Sequence, residues 1–242
     1  MTLVVINGNT TAAMTAVIEY SARTVVRPDA EIIAVTPRTG PVSIESHYDE
    51  ALAVPGILEA VADHPGADGY LIACFGDPGI DAAREIADAP VLGIAEAGMA
   101  LAATLGRGFS VVTTLGRSIG RTRDLVGHYG FSRQCLGIHA CEIAVLDLET
   151  NPDTATILAD ACRAALAADG SDAIVLGCAG MADLARSLTA ELGVPVVDGV
   201  AAGVGMLSAT AAMGLHTGTA SGEFAAPLPK QIIGDLSDFT LS

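Results

Sequence analysis

The chain has 242 residues, of which 51% are hydrophobic and 17% are charged. This length and composition predict a folded globular protein with a sizeable core and exclude an intrinsically disordered chain. The 28 acidic residues outnumber the 12 basic ones and give a formal charge of −16, which argues against binding to nucleic acid or to an anionic membrane.

The first residues, Met1–Gly8, contain no basic region before a polar turn, so we expect no signal peptide and a cytoplasmic protein. The longest uncharged stretch, 199–215, is rich in Gly and Ala, which favours a packed helix over a membrane span. Five cysteines are an odd number, and in a reducing compartment they predict no disulfide framework.

Short runs of β-branched residues alternate with longer alanine-rich stretches along the chain. In chain order the predicted strands are Leu3–Ile6, Glu31–Val35, Gly69–Ala73, Val91–Ile94, Ser110–Thr113, Ala173–Leu176 and Pro195–Val197. This alternation predicts an α/β fold with parallel sheets flanked by helices. Because ligands bind at the carboxyl ends of such strands, we expect the chemistry directly after these runs.

The second half of the chain resembles the first. The matching segments are 68–76 with 172–180, 90–93 with 195–198, and 4–7 with 111–114. In the first pair, Asp stands six residues before Cys and Gly two residues after it. The duplication predicts two similar lobes related by a pseudo-twofold axis, with Cys74 and Cys178 facing each other across a cleft.

Two thiols on opposite faces of a ligand suit the movement of a proton from one side of a carbon atom to the other. A thiol has an ordinary pKa of about 8.5, which lies close enough to neutral pH for proton transfer. Gly76 and Gly180 permit a tight turn into a helix, whose amide groups we expect to lower the pKa of each thiol.

Several segments resemble the hydantoin and allantoin racemases of the aspartate/glutamate racemase superfamily. They are 7–10, 43–46, 73–79, 176–181 and 195–199, and the resemblance covers residues 3 to about 215. It implies an isomerase that needs no cofactor and no metal and that acts on a small-molecule substrate, with a homo-oligomeric assembly. It also implies interleaved lobes formed by 1–96 with 202–242 and by 97–201.

The resemblance makes Cys74 and Cys178 the two acid/base groups. The residues it places around the substrate are Asn9, Ser43, Ile44, Phe75, Gly76, Thr113, Thr114, Ala179 and Gly180. The amino-acid racemases of the superfamily typically carry polar Asn-Thr and Thr-His pairs after their cysteines, where this chain has Phe-Gly and Ala-Gly. An apolar neighbourhood fits a neutral ring better than a zwitterion, so we expect inversion at C5 of a 5-substituted hydantoin or of allantoin through an enolate stabilised by hydrogen-bond donors.

Other functions stay open at this stage. Another enzyme of the superfamily, such as an amino-acid racemase, a maleate isomerase-like enzyme or an arylmalonate decarboxylase-like enzyme, would use the thiols differently. A small-molecule sensor would use the cleft without catalysis. A thiol redox protein would join the two sulfur atoms, although the chain has no Cys-x-x-Cys motif.

Some residues invite a functional interpretation but have an ordinary structural one. Cys162 is expected in the core, and Cys135, His139 and Cys141 lack a fourth ligand for a metal site. We expect Asn9 or Thr10 to cap the first helix, and we expect Glu45, Asp77 and Glu96 to be exposed carboxylates. The small residues of 199–205 predict close helix packing, and 217–242 is a packing arm or a flexible tail.

Overall fold

The computed structural model describes residues 1–219 and 222–239. Its first sheet contains β1 (Thr2–Asn7), β2 (Glu31–Val35), β3 (Gly69–Ala73) and β4 (Val91–Gly93), in the order β2-β1-β3-β4. The second sheet contains β5 (Phe109–Thr113), β6 (Cys135–Ala140), β7 (Ala173–Gly177) and β8 (Val196–Val197), in the order β6-β5-β7-β8. Every pairing is parallel. The α/β class and the repetition of one topology in two halves are confirmed.

Helices connect the strands on both faces of the sheets. They are α1 (Ala12–Arg23), α2 (His47–Ala62), α3 (Ile80–Ile86), α4 (Ile94–Leu105), α5 (Ile119–His128), α6 (Asp147–Thr150), α7 (Thr154–Asp169), α8 (Ala185–Leu192) and α9 (Gly199–Ala212). Short 3₁₀ helices cover Gly116–Ser118, Ala179–Leu184 and Ser237–Phe239. Within the described ranges, no helix combines the length and the apolar character that crossing a membrane requires.

The central strands follow from their sequences, whereas one edge strand does not. Every residue of β3, β5 and β7 is buried, as expected for apolar runs covered by helices on both sides. Sequence analysis predicted no strand at β6, which lies at a sheet edge and is half-exposed along its length. Gly137 and His139 interrupt the apolar pattern of β6, so its sequence does not indicate a strand clearly.

Helices α4 and α9 pack side by side and join the two halves. α4 follows β4 of the first sheet but packs against β7 of the second, where Gly98 lies against Val175. α9 follows β8 of the second sheet but packs against β3 of the first, where a side chain at Gly203 would overlap with Leu71. This close packing is the role predicted for the small residues of 199–205. Because α4 and α9 pack in this way, we propose that one lobe consists of 1–96 with 202–242 and the other of 97–201.

The C-terminal stretch packs against the first half where the structure describes it. The Thr217 hydroxyl donates to the Ala89 carbonyl at 3.4 Å, and the guanidinium carbon of Arg84 lies 5.6 Å from the centre of the Phe224 ring. Of the two expectations for 217–242, these contacts match the packing arm. Residues 220–221 and 240–242 lie outside the described residues.

Candidate active site

A cavity of about 200 Å³ lies between the halves, at the carboxyl ends of the central strands β1, β3, β5 and β7. Of the residues expected around a substrate, those in its wall are Asn9, Ile44, Cys74, Phe75, Gly76, Thr113, Thr114, Cys178 and Ala179. Ser43 and Gly180 do not line it. The cavity therefore receives one cysteine from each half, as the parallel sheets require.

Cys74 stands directly after β3, and its position depends on a glycine of the neighbouring strand end. A Cβ atom built on Gly8 would lie 2.6 Å from Cβ of Cys74 and 3.3 Å from its sulfur atom. Only a residue without a side chain fits there. Gly8 belongs to the 7–10 motif, but its role was not predicted from the sequence, because the contact joins segments that are distant along the chain.

Cys178 stands directly after β7 and opens the 3₁₀ helix Ala179–Leu184. Gly180 lies beside this thiol, since a Cβ atom built on it would be 3.7 Å from the sulfur of Cys178 and 3.5 Å from Cε of Met14 in α1. Gly180 thus lies next to the thiol but does not line the cavity.

The pKa values of both thiols are raised, which corrects the expectation that backbone amides lower them. Burial is the main cause of the raised pKa of Cys74; a hydrogen bond from the Gly76 backbone opposes it, and the charge of Glu50 adds to it. Burial likewise raises the pKa of Cys178 to about 11, against the hydrogen bond from the Gly180 backbone. The amides act in the expected direction, but the loss of water around a buried thiolate outweighs them.

An ion pair between the halves borders the cavity next to Cys74. Nε of Arg121 in α5 lies 3.0 Å from Oε2 of Glu50 in α2, and a second guanidinium nitrogen donates to the Gly76 carbonyl at 2.7 Å. Glu50 fills the space beside Gly76, where a side chain would overlap with it. Burial raises the pKa of Glu50, and the charge of Arg121 opposes this shift.

The three carboxylates expected to be exposed have different environments. Asp77 is only 2% exposed, so that prediction was wrong for it. Glu96 is half-buried and lies 2.7 Å from a guanidinium nitrogen of Arg84. Glu45 is half-buried in the cavity wall and accepts a hydrogen bond of 2.8 Å from the Val145 amide of the other half.

The turn after β1 is organised by asparagine side chains rather than by the predicted cap. The N-cap residue of α1 is Thr11, so neither Asn9 nor Thr10 holds that position. Oδ1 of Asn9 accepts from the Thr11 amide at 2.9 Å and from Nδ2 of Asn7 at 3.0 Å. The side-chain nitrogen Nδ2 of Asn9 donates to the sulfur of Met14, a weak acceptor.

The remaining cysteines have partners of their own. The thiols of Cys135 and Cys141 donate to the carbonyls of Gly137 and Thr114, while Nε2 of His139 lies 2.6 Å from a carboxylate oxygen of Asp169. Cys162 is fully buried in α7, as predicted. Within residues 1–219 and 222–239, no group of three or more His, Cys, Asp and Glu side chains is arranged to hold a metal ion.

The arrangement of this site leads to a comparison with known proteins. A family model described as Asp/Glu/hydantoin racemase matches residues 3–207. The chain belongs to this family. It is therefore an enzyme of the isomerase class.

Individual relatives of this racemase match over almost their whole length. A hydantoin racemase of Pseudomonas sp. (strain NS671) is 45% identical over 242 residues, covering 99% of this chain and 97% of the relative. Among solved structures, an allantoin racemase from Klebsiella pneumoniae is 47% identical with a TM-score of 0.95, and 99% of each chain is covered. An allantoin racemase from Pseudomonas fluorescens is 35% identical with a TM-score of 0.93, covering 97% of this chain and 100% of that one.

Proposed function

We propose that this racemase inverts C5 of a 5-substituted hydantoin or of allantoin, with Cys74 and Cys178 as its two bases and without a cofactor. The observation that supports this most strongly is the presence of both thiols, from equivalent strand ends, in the wall of one cavity. The names of the relatives divide between hydantoin racemase and allantoin racemase, so both substrates belong to the proposal.

The proposed reaction moves one proton and changes no oxidation state. One cysteine, as the thiolate, takes the C5 proton and leaves a planar enolate whose charge is spread onto the neighbouring carbonyl. The other cysteine, as the thiol, delivers its proton to the opposite face of C5. After one turnover the two sulfur atoms have exchanged protonation states, and the enzyme is ready to act in the reverse direction.

Polar groups in the cavity wall are placed to stabilise the enolate. Asn9 is 5% exposed. The only described acceptor of its side-chain nitrogen Nδ2 is the sulfur of Met14, which accepts weakly, so this nitrogen can still donate a hydrogen bond to a ligand. Thr113 and Thr114 line the same cavity; the Thr113 hydroxyl donates to the Gly177 carbonyl at 3.3 Å, so it would exchange this acceptor for the enolate. Donors fixed in a site that excludes water stabilise developing charge more strongly than water does.

Replacement of either cysteine by serine tests the proposal. We expect Cys74→Ser and Cys178→Ser each to lower racemisation by at least about 10³-fold, because an alcohol is too weak an acid to share the proton. The measurement is loss of optical rotation and deuterium uptake at C5 in heavy water, with enantiopure allantoin and a panel of 5-alkyl and 5-aryl hydantoins. Cys162→Ser, which alters a thiol in the core of α7, is the matched control.

Each result has a definite meaning. Full turnover by Cys74→Ser or Cys178→Ser contradicts the two-base assignment. If the wild type promotes exchange on none of these compounds, the substrate proposal fails, and another reaction of the superfamily or a binding role takes its place. Chelation with EDTA leaves the activity unchanged if no metal is needed.

We also propose that the protein is a cytoplasmic homo-oligomer. Light scattering across a range of protein concentrations tests the assembly, and fractionation of the source cells tests the location. A monomeric mass at all concentrations contradicts the first proposal.

A further inference from the structure

The two helices that join the halves begin in closely similar ways. At the start of α9, Oδ1 of Asp198 accepts from the Val200 amide at 2.8 Å, and Oδ2 accepts from the Ala201 amide at 3.1 Å. The hydroxyl of Ser21 in α1, from the first half, also donates to this carboxylate. Asp198 is thus an N-cap residue with an additional donor from the other half.

The start of α4 has the same bonds but takes its carboxylate from elsewhere. Gly93 stands where Asp198 stands in the second half, and it has no side chain to cap the helix. Asp77 takes over this role: its Oδ1 accepts from the Ala95 amide and its Oδ2 from the Glu96 amide, both at 3.0 Å. A side chain on Gly93 would overlap with the carboxylate of Asp77, so Asp77 occupies the space that the glycine leaves.

The third donor to Asp77 also comes from the opposite half. The hydroxyl of Tyr129, directly after α5, donates to Oδ2 of Asp77 at 2.8 Å. Asp77 therefore accepts three hydrogen bonds, two from α4 and one from the second half. Its position in the duplicated sequence corresponds to Met181, which has no carboxylate.

Asp77 also belongs to the turn that follows Cys74. Its amide donates to the Cys74 carbonyl at 2.9 Å, and its backbone has a φ of 44°. Among residues other than glycine, Asp and Asn adopt this left-handed conformation most readily, so an aspartate suits this turn. The capping carboxylate and the cysteine are thus linked through one tight turn.

We propose that Asp77 is a positioning residue for Cys74, tying the turn that carries this thiol to the N-terminus of α4 and to Tyr129 of the second half. The proposal rests on the proposed acid/base role of Cys74. In the second half the cap Asp198 belongs to its own helix, and its described hydrogen-bond donors are Val200, Ala201 and Ser21, none of which lies in the turn after Cys178. The two thiols are therefore held by different means, although the two sheets share one topology.

The test separates the capping role of Asp77 from its positioning role. Asp77→Ala removes both, whereas Asp77→Ala combined with Gly93→Asp restores a cap of the kind that Asp198 provides. Gly93 has an extended backbone with φ −103° and ψ 155°, close to that of Asp198 with φ −85° and ψ 123°, so aspartate fits there once the Asp77 side chain is gone. The double variant keeps α4 capped and remains able to fold.

The readout is the rate at which iodoacetamide alkylates each cysteine, followed by peptide mass spectrometry together with the melting temperature and kcat. We expect the double variant to recover the melting temperature lost in Asp77→Ala while Cys74 is alkylated faster than in the wild type by on the order of tenfold, because its turn opens locally. Turnover stays about 100-fold below the wild type, since a displacement of about 1 Å at a reacting group costs that much. Cys178 serves as the internal reference and Cys162 reports global unfolding.

A matched control uses the equivalent carboxylate of the second half. Asp198→Ala removes a buried cap that accepts from the same kinds of donor, two backbone amides and one hydroxyl, and we expect it to lower the melting temperature without changing the alkylation ratio of Cys74 to Cys178. The proposal is overturned if Gly93→Asp restores both the Cys74 alkylation rate and kcat in the Asp77→Ala background, since Asp77 would then act only as a cap. This outcome differs from failure of the proposed function, in which Cys74→Ser itself retains turnover.

Discussion

Cys74 and Cys178 are held by burial mainly as neutral thiols, yet proton abstraction requires one of them to be a thiolate. The pKa of each thiol is raised, that of Cys178 to about 11. The reactive form, with one thiolate and one thiol, is therefore a minor species at neutral pH. The charge of Glu50 raises the pKa of Cys74 further. The charge of Glu45 does the same for the pKa of Cys178.

The pH dependence of turnover follows from these pKa values. Below a pKa of about 11, the thiolate fraction grows with pH, so we expect kcat/KM to rise by about tenfold per pH unit. Burial raises the pKa of Asp77 to about 7, so Asp77 changes its own charge near that pH. The slope of kcat/KM against pH is therefore measured above it. Initial rates between about pH 7.5 and 9, corrected for racemisation by hydroxide, provide the measurement. A flat profile over this range contradicts a thiolate base with a raised pKa.

At the scale of residues, the sequence was sufficient to predict that Cys74 and Cys178 share one cleft, but not to predict the residues around them. The repeated spacing of Asp, Cys and Gly singled out Cys74 and Cys178 because it is local and occurs twice. Gly8, Glu50 and Arg121 could not be predicted in the same way. Their roles depend on contacts between segments that are far apart in the chain, and no local pattern records such contacts.

The helices of this protein owe their positions to glycines that are not interchangeable. In α9, a side chain on Gly199 would overlap with the Ile94 carbonyl, a backbone atom that cannot move aside. Gly205 lies in the same helix, is exposed, and has no described atom within 4 Å of a built Cβ atom. The effect of a side chain at Gly199 is therefore determined by its close approach to Ile94, whereas the effect at Gly205 is determined by helix propensity.

Alanine substitutions at these two glycines should therefore have opposite effects. We expect Gly199→Ala to lower the free energy of unfolding by about 1–3 kcal/mol through overpacking. Gly205→Ala should raise it by roughly 0.5–1 kcal/mol, because alanine loses less backbone entropy in a helix than glycine does. Urea unfolding of both variants beside the wild type provides the comparison, and a shift of the same sign in both contradicts this reading of α9.

At the scale of elements, the sequence predicted seven of the eight strands in the described residues, among them the edge strands β2, β4 and β8, and it missed the edge strand β6. Glu31–Val35 and Gly69–Ala73 have the predicted bounds, since continuous apolar runs are a strong signal. β6 was missed because Gly137 and His139 interrupt its apolar pattern, whereas the edge strand β2 keeps a continuous apolar run after Glu31. The capping residue of α1 was misplaced because Asn9 and Thr11 both precede the helix with suitable side chains, and only the backbone conformation distinguishes them.

One hydrophobic core runs through both halves of the molecule. Leu3 and Leu71 of the first sheet and Val111 and Val175 of the second belong to a single buried cluster. Helices α4 and α9 contribute to the same cluster and contact strands of both sheets. The two halves are therefore expected to lose their structure together.

This continuity predicts a single cooperative unfolding transition. In differential scanning calorimetry we expect one peak, with a calorimetric enthalpy equal to the van't Hoff enthalpy. Scans at several protein concentrations distinguish subunit dissociation from unfolding of the chain. Two separate peaks that do not depend on concentration would show that the halves unfold independently.

At the scale of the whole molecule, the duplication was visible in the sequence, whereas the interleaving of the halves was implied only by the family resemblance. The matching segments around Cys74 and Cys178 predicted two similar units and the cleft between them. Which sheet α4 or α9 packs against depends on the direction of the chain after β4 and β8. That direction depends on tertiary packing at positions such as Gly98 and Gly203. The small residues of 199–205 predicted close packing, but not the sheet against which α9 packs.

The exchange of α4 and α9 has a consequence for the ancestry of the fold. In each half taken alone, the last helix would not cover the sheet of its own half, and an apolar face of that sheet would be exposed to water. Large exposed apolar surfaces are rare in monomeric proteins. A half-length precursor would have needed a second copy to cover that face, and the same pairing would have brought two identical cysteines together. A single chain that contains both halves can differ between them, as Gly93 with Asp77 on one side and Asp198 on the other do.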